Sequence, residues 1–201
     1  MKRNPVNHEI VFSSKDYAEN YAKQHWKMAE KFGQDYGQKL AAQEFSSGKI
    51  IDAGCGFGAT NLALAQRFLD SEILGIDLSE PLLEIANEAA KEANLAGRVR
   101  FEKADVEQIP YPENTFDVAL NINMVHLVEN PIKMLSEIER VLVPGGYLFI
   151  TDLRRSFLGL IEDEIRSALT LPQAKSLFEQ SEIREGMFKW DLLWWKFEGG
   201  R

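Results

Sequence analysis

The chain has 201 residues, 45% of them apolar, and a formal net charge of −8. That length and composition suffice for one packed core and fit a single domain better than two. The acidic balance argues against a broad nucleic-acid footprint, which needs clustered Lys and Arg. No apolar run nears the roughly 20 residues that cross a bilayer, and Met1-Lys2-Arg3-Asn4-Pro5 is not followed by the apolar stretch of a signal peptide. A cytoplasmic protein is expected. The single cysteine, Cys55, leaves no internal disulfide framework.

In chain order, Ser14 is a candidate N-cap for a helix to about Phe32. Tyr17, Tyr21 and His25 follow at four-residue spacing and so share one face of it. Gly33 and Gly37 interrupt the pattern, and a second helical stretch is expected up to Phe45, ending at Ser46-Ser47-Gly48. The apolar run at Ile50-Ile51 then ends in Asp52. Gly54, Gly56 and Gly58 alternate with other residues before the amphipathic stretch Asn61–Phe68. This reads as a buried strand, a tight turn and a helix start, the turn being stripped of side chains so that a ligand can lie against backbone. A carboxylate at the strand tip repels a pyrophosphate and suits a ligand carrying positive charge there, as S-adenosylmethionine does with its ammonium and sulfonium. Gly54, Gly56 and Ala59 also satisfy the dinucleotide fingerprint, so an NAD-dependent oxidoreductase stays open at this point.

A second short strand, Glu72–Leu78, carries Asp77 near its end, where an acid hydrogen-bonds ribose hydroxyls. Either cofactor would supply that ribose. Ser79 caps the next helix with Pro81 in its first turn. That helix covers Leu82–Asn94, with Gly97 as its stop. Val99–Val106 is a third strand presenting Asp105, and Thr115–Asn121 a fourth. Asn130-Pro131 opens a helix with apolar Ile132, Leu135, Ile138, Val141 and Leu142, closed by Pro144-Gly145-Gly146; Tyr147–Thr151 is the fifth strand. Helices are expected from about Phe157 to Leu169 and from Pro172 to Gln180. Aromatic-rich strands follow around Gly186–Trp190 and Leu192–Phe197. Alternating strand and helix periodicity marks an α/β fold with a parallel sheet covered on both faces.

Asp52-x-Gly54-x-Gly56-x-Gly58, Asp77, Ala104-Asp105 with Pro110-Tyr111-Pro112, Phe116-Asp117-Val118 and Arg140-Val141-Leu142-Val143-Pro144-Gly145-Gly146-Tyr147 together resemble a class I S-adenosylmethionine-dependent methyltransferase. The nearest subgroup is the ubiquinone/menaquinone-biosynthesis-like (methyltransferase type 11) small-molecule set. The resemblance implies a Rossmann-like, doubly wound seven-stranded sheet, mostly parallel with a C-terminal antiparallel hairpin. It implies one domain over residues 1–201: an N-terminal helical lid (1–45), a cofactor-binding core (46–152), and C-terminal helices and hairpin (153–201). It assigns cofactor binding to Asp52, Gly54, Gly56, Gly58, Asp77, Leu78, Asp105, Val106 and Asn121, with S-adenosyl-L-methionine as cofactor and S-adenosyl-L-homocysteine as product.

Methyl transfer asks little of side chains. The sulfonium methyl is already electrophilic, so the protein mainly aligns a nucleophile and excludes water. A general base is needed only when that nucleophile must lose a proton. His126, just past the fourth strand, is the candidate base, against the alternative of a packed histidine that shapes the loop. Tyr17, Tyr21 and His25 are candidate substrate contacts on a lid helix, or else an amphipathic stripe. Arg154 is a candidate for an anionic substrate group. Asn121-Ile122-Asn123-Met124 is not the Asn/Asp-Pro-Pro-Tyr/Phe of enzymes that methylate planar amino nitrogens. No His/Cys cluster has metal-ligand spacing, so no metal is expected. The expectation is methyl transfer to a small molecule by a monomer or homodimer. A non-catalytic S-adenosylmethionine-binding protein and the oxidoreductase are the alternatives.

Overall fold

The computed structural model describes residues 13–155, 167–181, 183 and 185–200. Most of the helix expected from Phe157 to Leu169 therefore lies outside the described residues. The first element is α1 (Lys15–Ala42), whose start is capped by Ser14 Oγ accepting the Tyr17 N–H at 3.4 Å. It runs straight through Gly33 and Gly37, where the sequence suggested a break. The reason is packing. A Cβ on Gly33 would lie 2.5 Å from the Thr60 carbonyl oxygen and 2.8 Å from Ala63 Cβ, and one on Gly37 would lie 2.9 Å from Arg67 Cδ. These glycines let α1 approach α2 (Ala59–Arg67) almost backbone to backbone. Thr60 Oγ1 adds a bond to the Ala29 carbonyl at 3.0 Å across the same contact.

The strands β1 (Lys49–Ala53), β2 (Glu72–Asp77) and β3 (Val99–Lys103) are parallel, in a register that places Ile51 beside Leu74 and Gly75 beside Phe101. Ile50, Ile51, Ile73, Leu74 and Ile76 are all buried, as the near-continuous apolar runs of a sheet covered on both faces require. The Arg98 guanidinium donates to the carbonyls of Ala65 and Phe68 and so satisfies acceptors left open at the end of α2. Between β2 and β3 lies α3 (Glu80–Glu92), with Ser79 Oγ accepting the Leu82 N–H at 3.3 Å. It stops before Gly97, and Asn94 takes the left-handed conformation (φ 57°). β3 is shorter than expected: Ala104-Asp105-Val106 follow it as loop.

In the remaining chain, β4 (Phe116–Ile122) is followed by α4 (Pro131–Val141), capped by Asn130 Oδ1 on the Lys133 N–H. The segment Pro144-Gly145-Gly146 was expected to separate helix from strand, but it lies inside β5 (Leu142–Leu153). Pairing runs from Phe116 beside Leu142 directly to Val118 beside Tyr147, so a bulge in β5 absorbs the extra residues. Gly145 there has φ 80°, and a Cβ on Gly146 would press on Leu142 and the Asp117 carbonyl. Next come α5 (Leu171–Gln180), with a Thr170/Gln173 capping box, then β6 (Glu185–Trp190) and β7 (Trp194–Gly200). β7 is antiparallel to both β5 and β6, the expected C-terminal hairpin. Its inward face carries Trp195 and Phe197, the latter stacked 4.3 Å from Phe178 of α5. Trp190 instead stays 55% exposed under the Lys175 ammonium.

The strands form one seven-stranded sheet in the order β3-β2-β1-β4-β5-β7-β6, the Rossmann-like architecture anticipated from the motifs. Among the described residues, no helix is long and apolar enough to cross a membrane, and no three His, Cys, Asp or Glu side chains gather as a metal site. A test of the packing follows from Gly33. Helix propensity alone predicts that Gly33→Ala stabilises by about 1 kcal/mol, whereas overpacking against the Thr60 backbone predicts a loss of about 1–3 kcal/mol. Chemical denaturation of the variant should show the loss.

Candidate functional site

The glycine loop after β1 is shaped from below by β2. The N–H groups of Gly54 and Cys55 both donate to the Ile76 carbonyl, at 2.8 and 3.0 Å. One residue further on, Asp77 Oδ2 accepts the Gly56 N–H at 2.9 Å and Oδ1 accepts the Ser79 N–H at 2.9 Å. A single carboxylate thus ties the loop to the start of α3. The Leu78 N–H also bears on it, so fewer than half of its roughly four acceptor positions remain for other donors.

The three glycines do different work. All have positive φ (90°, 53° and 78°), which side chains disfavour. A Cβ on Gly58 would collide with the Phe101 ring at 2.5 Å and Ala86 at 2.9 Å, so this glycine lets α2 start close to the sheet. A Cβ on Gly56 would meet only Leu82 Cδ1, at 4.0 Å, so here bare backbone borders open space. Leu78 stands 54% exposed beside Asp77, Asp105 is exposed after β3, and Val106 is buried.

Asp52 is the electrostatic focus. It is 2% exposed, and its Oδ1 finds no hydrogen-bond donor among the described residues. Burial first, and the Asp77 charge second, push its pKa from 3.8 up to about 7. Burial also raises Asp77, against the opposing pull of its backbone N–H donors. A buried acid held near neutrality with an unpartnered oxygen favours the arrival of a cationic group. Cys55 is unsuited to nucleophilic work: burial and the two carboxylates push its thiol well above its ordinary range.

Phe57, the large residue in the glycine loop, was not singled out in the sequence. Its ring stacks on Trp26 at 5.7 Å and meets Tyr21 edge-on at 5.9 Å. Tyr21 in turn contacts Tyr17 at 6.1 Å and His25 at 4.5 Å. The expected stripe of α1 is therefore brought to the glycine loop, with Tyr17 partly exposed. A bulky aromatic between two glycines was the available signal.

Beyond Val106, the segment carrying Pro110-Tyr111-Pro112 is clamped to α4. Glu137 Oε2 accepts the Ile109 N–H at 2.8 Å, while Arg140 donates to the Tyr111 and Ile109 carbonyls at 2.8 and 2.9 Å and to Glu137. Asn121 is buried at the end of β4, its Nδ2 3.5 Å from Met134 Sδ. His126 is also buried, at 3% exposure. Its N–H donates to Asp152 Oδ2 at 3.0 Å, and its Nδ1 lies 2.6 Å from Asp152 Oδ1. Asp152, near the end of β5, was not among the expected site residues. Arg154 reaches the β6–β7 turn, donating from Nη2 to the Leu192 carbonyl at 3.3 Å, and Arg155 donates to Gln173 at 2.6 Å.

The raised pKa of Asp52 sets a sign for stability. Between pH 3.8 and about 7 the folded state binds the proton that the unfolded state has lost. Stability from this group therefore falls as pH rises through that window and levels off above it. The full span amounts to roughly 4 kcal/mol. Asp52→Asn cannot ionise, so relative to wild type its unfolding free energy should improve steadily from pH 4.5 to 7.5. Parallel pH profiles for the two proteins would show that this carboxyl is not held neutral.

Comparison with known proteins agrees with this geometry. Residues 51–150, about half the chain, match the family described as a methyltransferase domain. A fatty-acid O-methyltransferase of Mycolicibacterium smegmatis is 32% identical over 59% of this chain and 42% of its own length. The chain thus spans well under two thirds of that curated relative. The crystal structure of the [4+2]-cyclase SpnF is 31% identical, with TM-score 0.61, covering 71% of this chain and 54% of that one. A SAM-dependent methyltransferase from Aquifex aeolicus shares the fold at TM-score 0.69 and 22% identity, covering 81% and 88% of the two chains. With its glycine loop, its strand-tip acids and this family match, the chain belongs to the class I S-adenosyl-L-methionine-dependent methyltransferases of the small-molecule type.

Proposed function

We propose that this chain transfers the methyl group of S-adenosyl-L-methionine to a small-molecule acceptor, releasing S-adenosyl-L-homocysteine. The observation that carries the reading is the pairing of a buried, unpartnered Asp52 oxygen with the bare backbone at Gly56. A pyrophosphate would meet two carboxylates there, Asp52 and Asp77, which disfavours a dinucleotide. A cationic amino-acid moiety would meet a carboxyl that gains by ionising beside it.

In this reading Asp52 and Gly54, Gly56 and Gly58 hold the amino-acid portion of the cofactor. Asp77 offers its remaining lone pairs to the ribose, and Leu78, Asp105 and Val106 border the base. When bound, the cofactor supplies an activated methyl; the chain supplies alignment, exclusion of water and, through His126, a place for a proton. Tyr17, Tyr21 and His25, joined to the loop through Phe57, cover the acceptor, and Arg154 offers a cation to an acidic group on it. SpnF, a relative named for a cyclisation, makes transferred methyl the necessary readout rather than cofactor binding alone.

The test is calorimetric titration with S-adenosyl-L-methionine, followed by a screen of cell-extract metabolites for labelled methyl. Roughly micromolar binding and at least one labelled acceptor are expected. Gly56→Ala should weaken binding at least tenfold, about 1.4 kcal/mol, with the fold retained by circular dichroism. Unchanged affinity in that variant would remove the loop from the site, and binding without any labelled product would reject methyl transfer.

A further inference from the structure

We propose that the groove between α1, α2 and α3 is a binding site for a linear polyamine. All three helices belong to one compact unit of the chain, residues 8–105. None of the groove residues is assigned above to the cofactor or the acceptor, so the proposal goes beyond methyl transfer and does not rest on it.

The groove follows from the way α1 is attached. Gly33 lies against Thr60 and Ala63, and Gly37 against Arg67, so α1 and α2 run in the same direction almost in backbone contact. The face of α2 that carries Ala59, Leu62 and Ala63 is left 2%, 6% and 8% exposed. It forms the floor of a cavity of about 390 Å³, walled by Trp26 and Glu30 of α1 and by Ile85, Glu88 and Glu92 of α3. That volume falls within the range of small-molecule sites, roughly 300–1,000 Å³.

The two ends of the groove differ. Trp26 and Ile85 pack on the cluster that holds Phe57 and Ala59, so the end nearest the glycine loop is apolar. Glu30 lies one helical turn past Trp26, and Glu88 and Glu92 follow Ile85 along α3, so acid takes over in the same direction on both walls. None of these three carboxylates has an ion-pair or hydrogen-bond partner among the described residues. Glu80, on the same helix α3, instead takes the Lys103 ammonium at 2.7 Å.

These features select the occupant. Glu88 and Glu92 stand one turn apart and repel each other until a cation arrives. Side chains at that spacing have Cβ atoms about 5–6 Å apart, which matches neighbouring ammonium groups along an alkyl polyamine. Each ammonium would make charge-assisted hydrogen bonds to a carboxylate. The methylene segments would cover the floor of α2 and the Trp26 indole, contacts from which a bare metal ion gains nothing.

Calorimetry of the full chain with spermine tests this, at an ionic strength of about 0.15 M, where diffuse attraction is screened. Saturable binding of a single molecule per chain is expected. Changing Glu88→Gln and Glu92→Gln together should weaken it roughly tenfold or more. Ala89→Trp keeps every carboxylate but fills the cavity, and should weaken binding as much. Glu84→Gln makes the same charge change at an exposed position of α3 outside the cavity and should leave affinity within twofold. Nitrogen-15 NMR adds a local readout. Of the four tryptophan indole N–H signals, spermine should move that of Trp26, which Trp26→Phe identifies by its loss. Absence of binding to wild type overturns the proposal, as does binding that leaves the Trp26 signal in place. Unchanged affinity in Ala89→Trp, or a loss in Glu84→Gln equal to that of the double variant, would also overturn it by showing charge attraction without a groove. Each outcome is read without S-adenosyl-L-methionine, so failure here leaves the methyl-transfer reading intact.

Discussion

The Asp77 carboxylate is the constraint around which the glycine-loop half of the protein is arranged. By accepting the N–H groups of Gly56 and Ser79 it fixes a loop that has almost no side chains of its own to pack. Without it, three successive glycines at positive φ would be conformationally expensive to hold. The arrangement has a cost next door. Asp77 keeps a negative charge near the buried Asp52, and that charge joins burial in holding Asp52 toward its neutral form. Loop order and readiness for a cation are thus linked through one side chain.

Much of the fold and part of the site were legible in the sequence because the physical requirements were local. A strand that ends in an acid before alternating glycines has few structural meanings, and Ser14, Ser79 and Asn130 carry their caps within three residues. What could not be read depended on distant partners. Gly33 and Gly37 look like helix breakers until Thr60, Ala63 and Arg67 are known to lie against them. Pro144-Gly145-Gly146 looks like a terminator until β4 supplies the pairing that turns it into a bulge. His126 could be proposed as a base, but its partner is 26 residues away and invisible to any short motif.

The structure also divides residues that the sequence treats alike. Gly56 and Gly58 sit in one motif, yet one borders open space and the other is pressed against Phe101. Trp195 and Trp190 sit on one hairpin, yet one is fully buried and the other is mostly exposed. Arg154 and Arg155 are neighbours, yet one reaches the β6–β7 turn and the other reaches α5. In each case type and spacing gave the element, and only the surrounding packing gave the role.

The long first helix is attached in two unlike ways. Around Gly33 and Gly37 its backbone is pressed so closely on α2 that no lateral slip is tolerated. Nearer its start, between Tyr17 and Trp26, it touches the glycine loop through ring faces and edges, whose contact energy changes little over small offsets. Beneath those rings Ala18 and Ala22 are buried in one cluster with Phe57, Ala59 and Leu82, so the start of the helix is seated by packing as well. A substitution at Ala18 or Ala22 would therefore be felt at once by Phe57 and through it by the glycine loop.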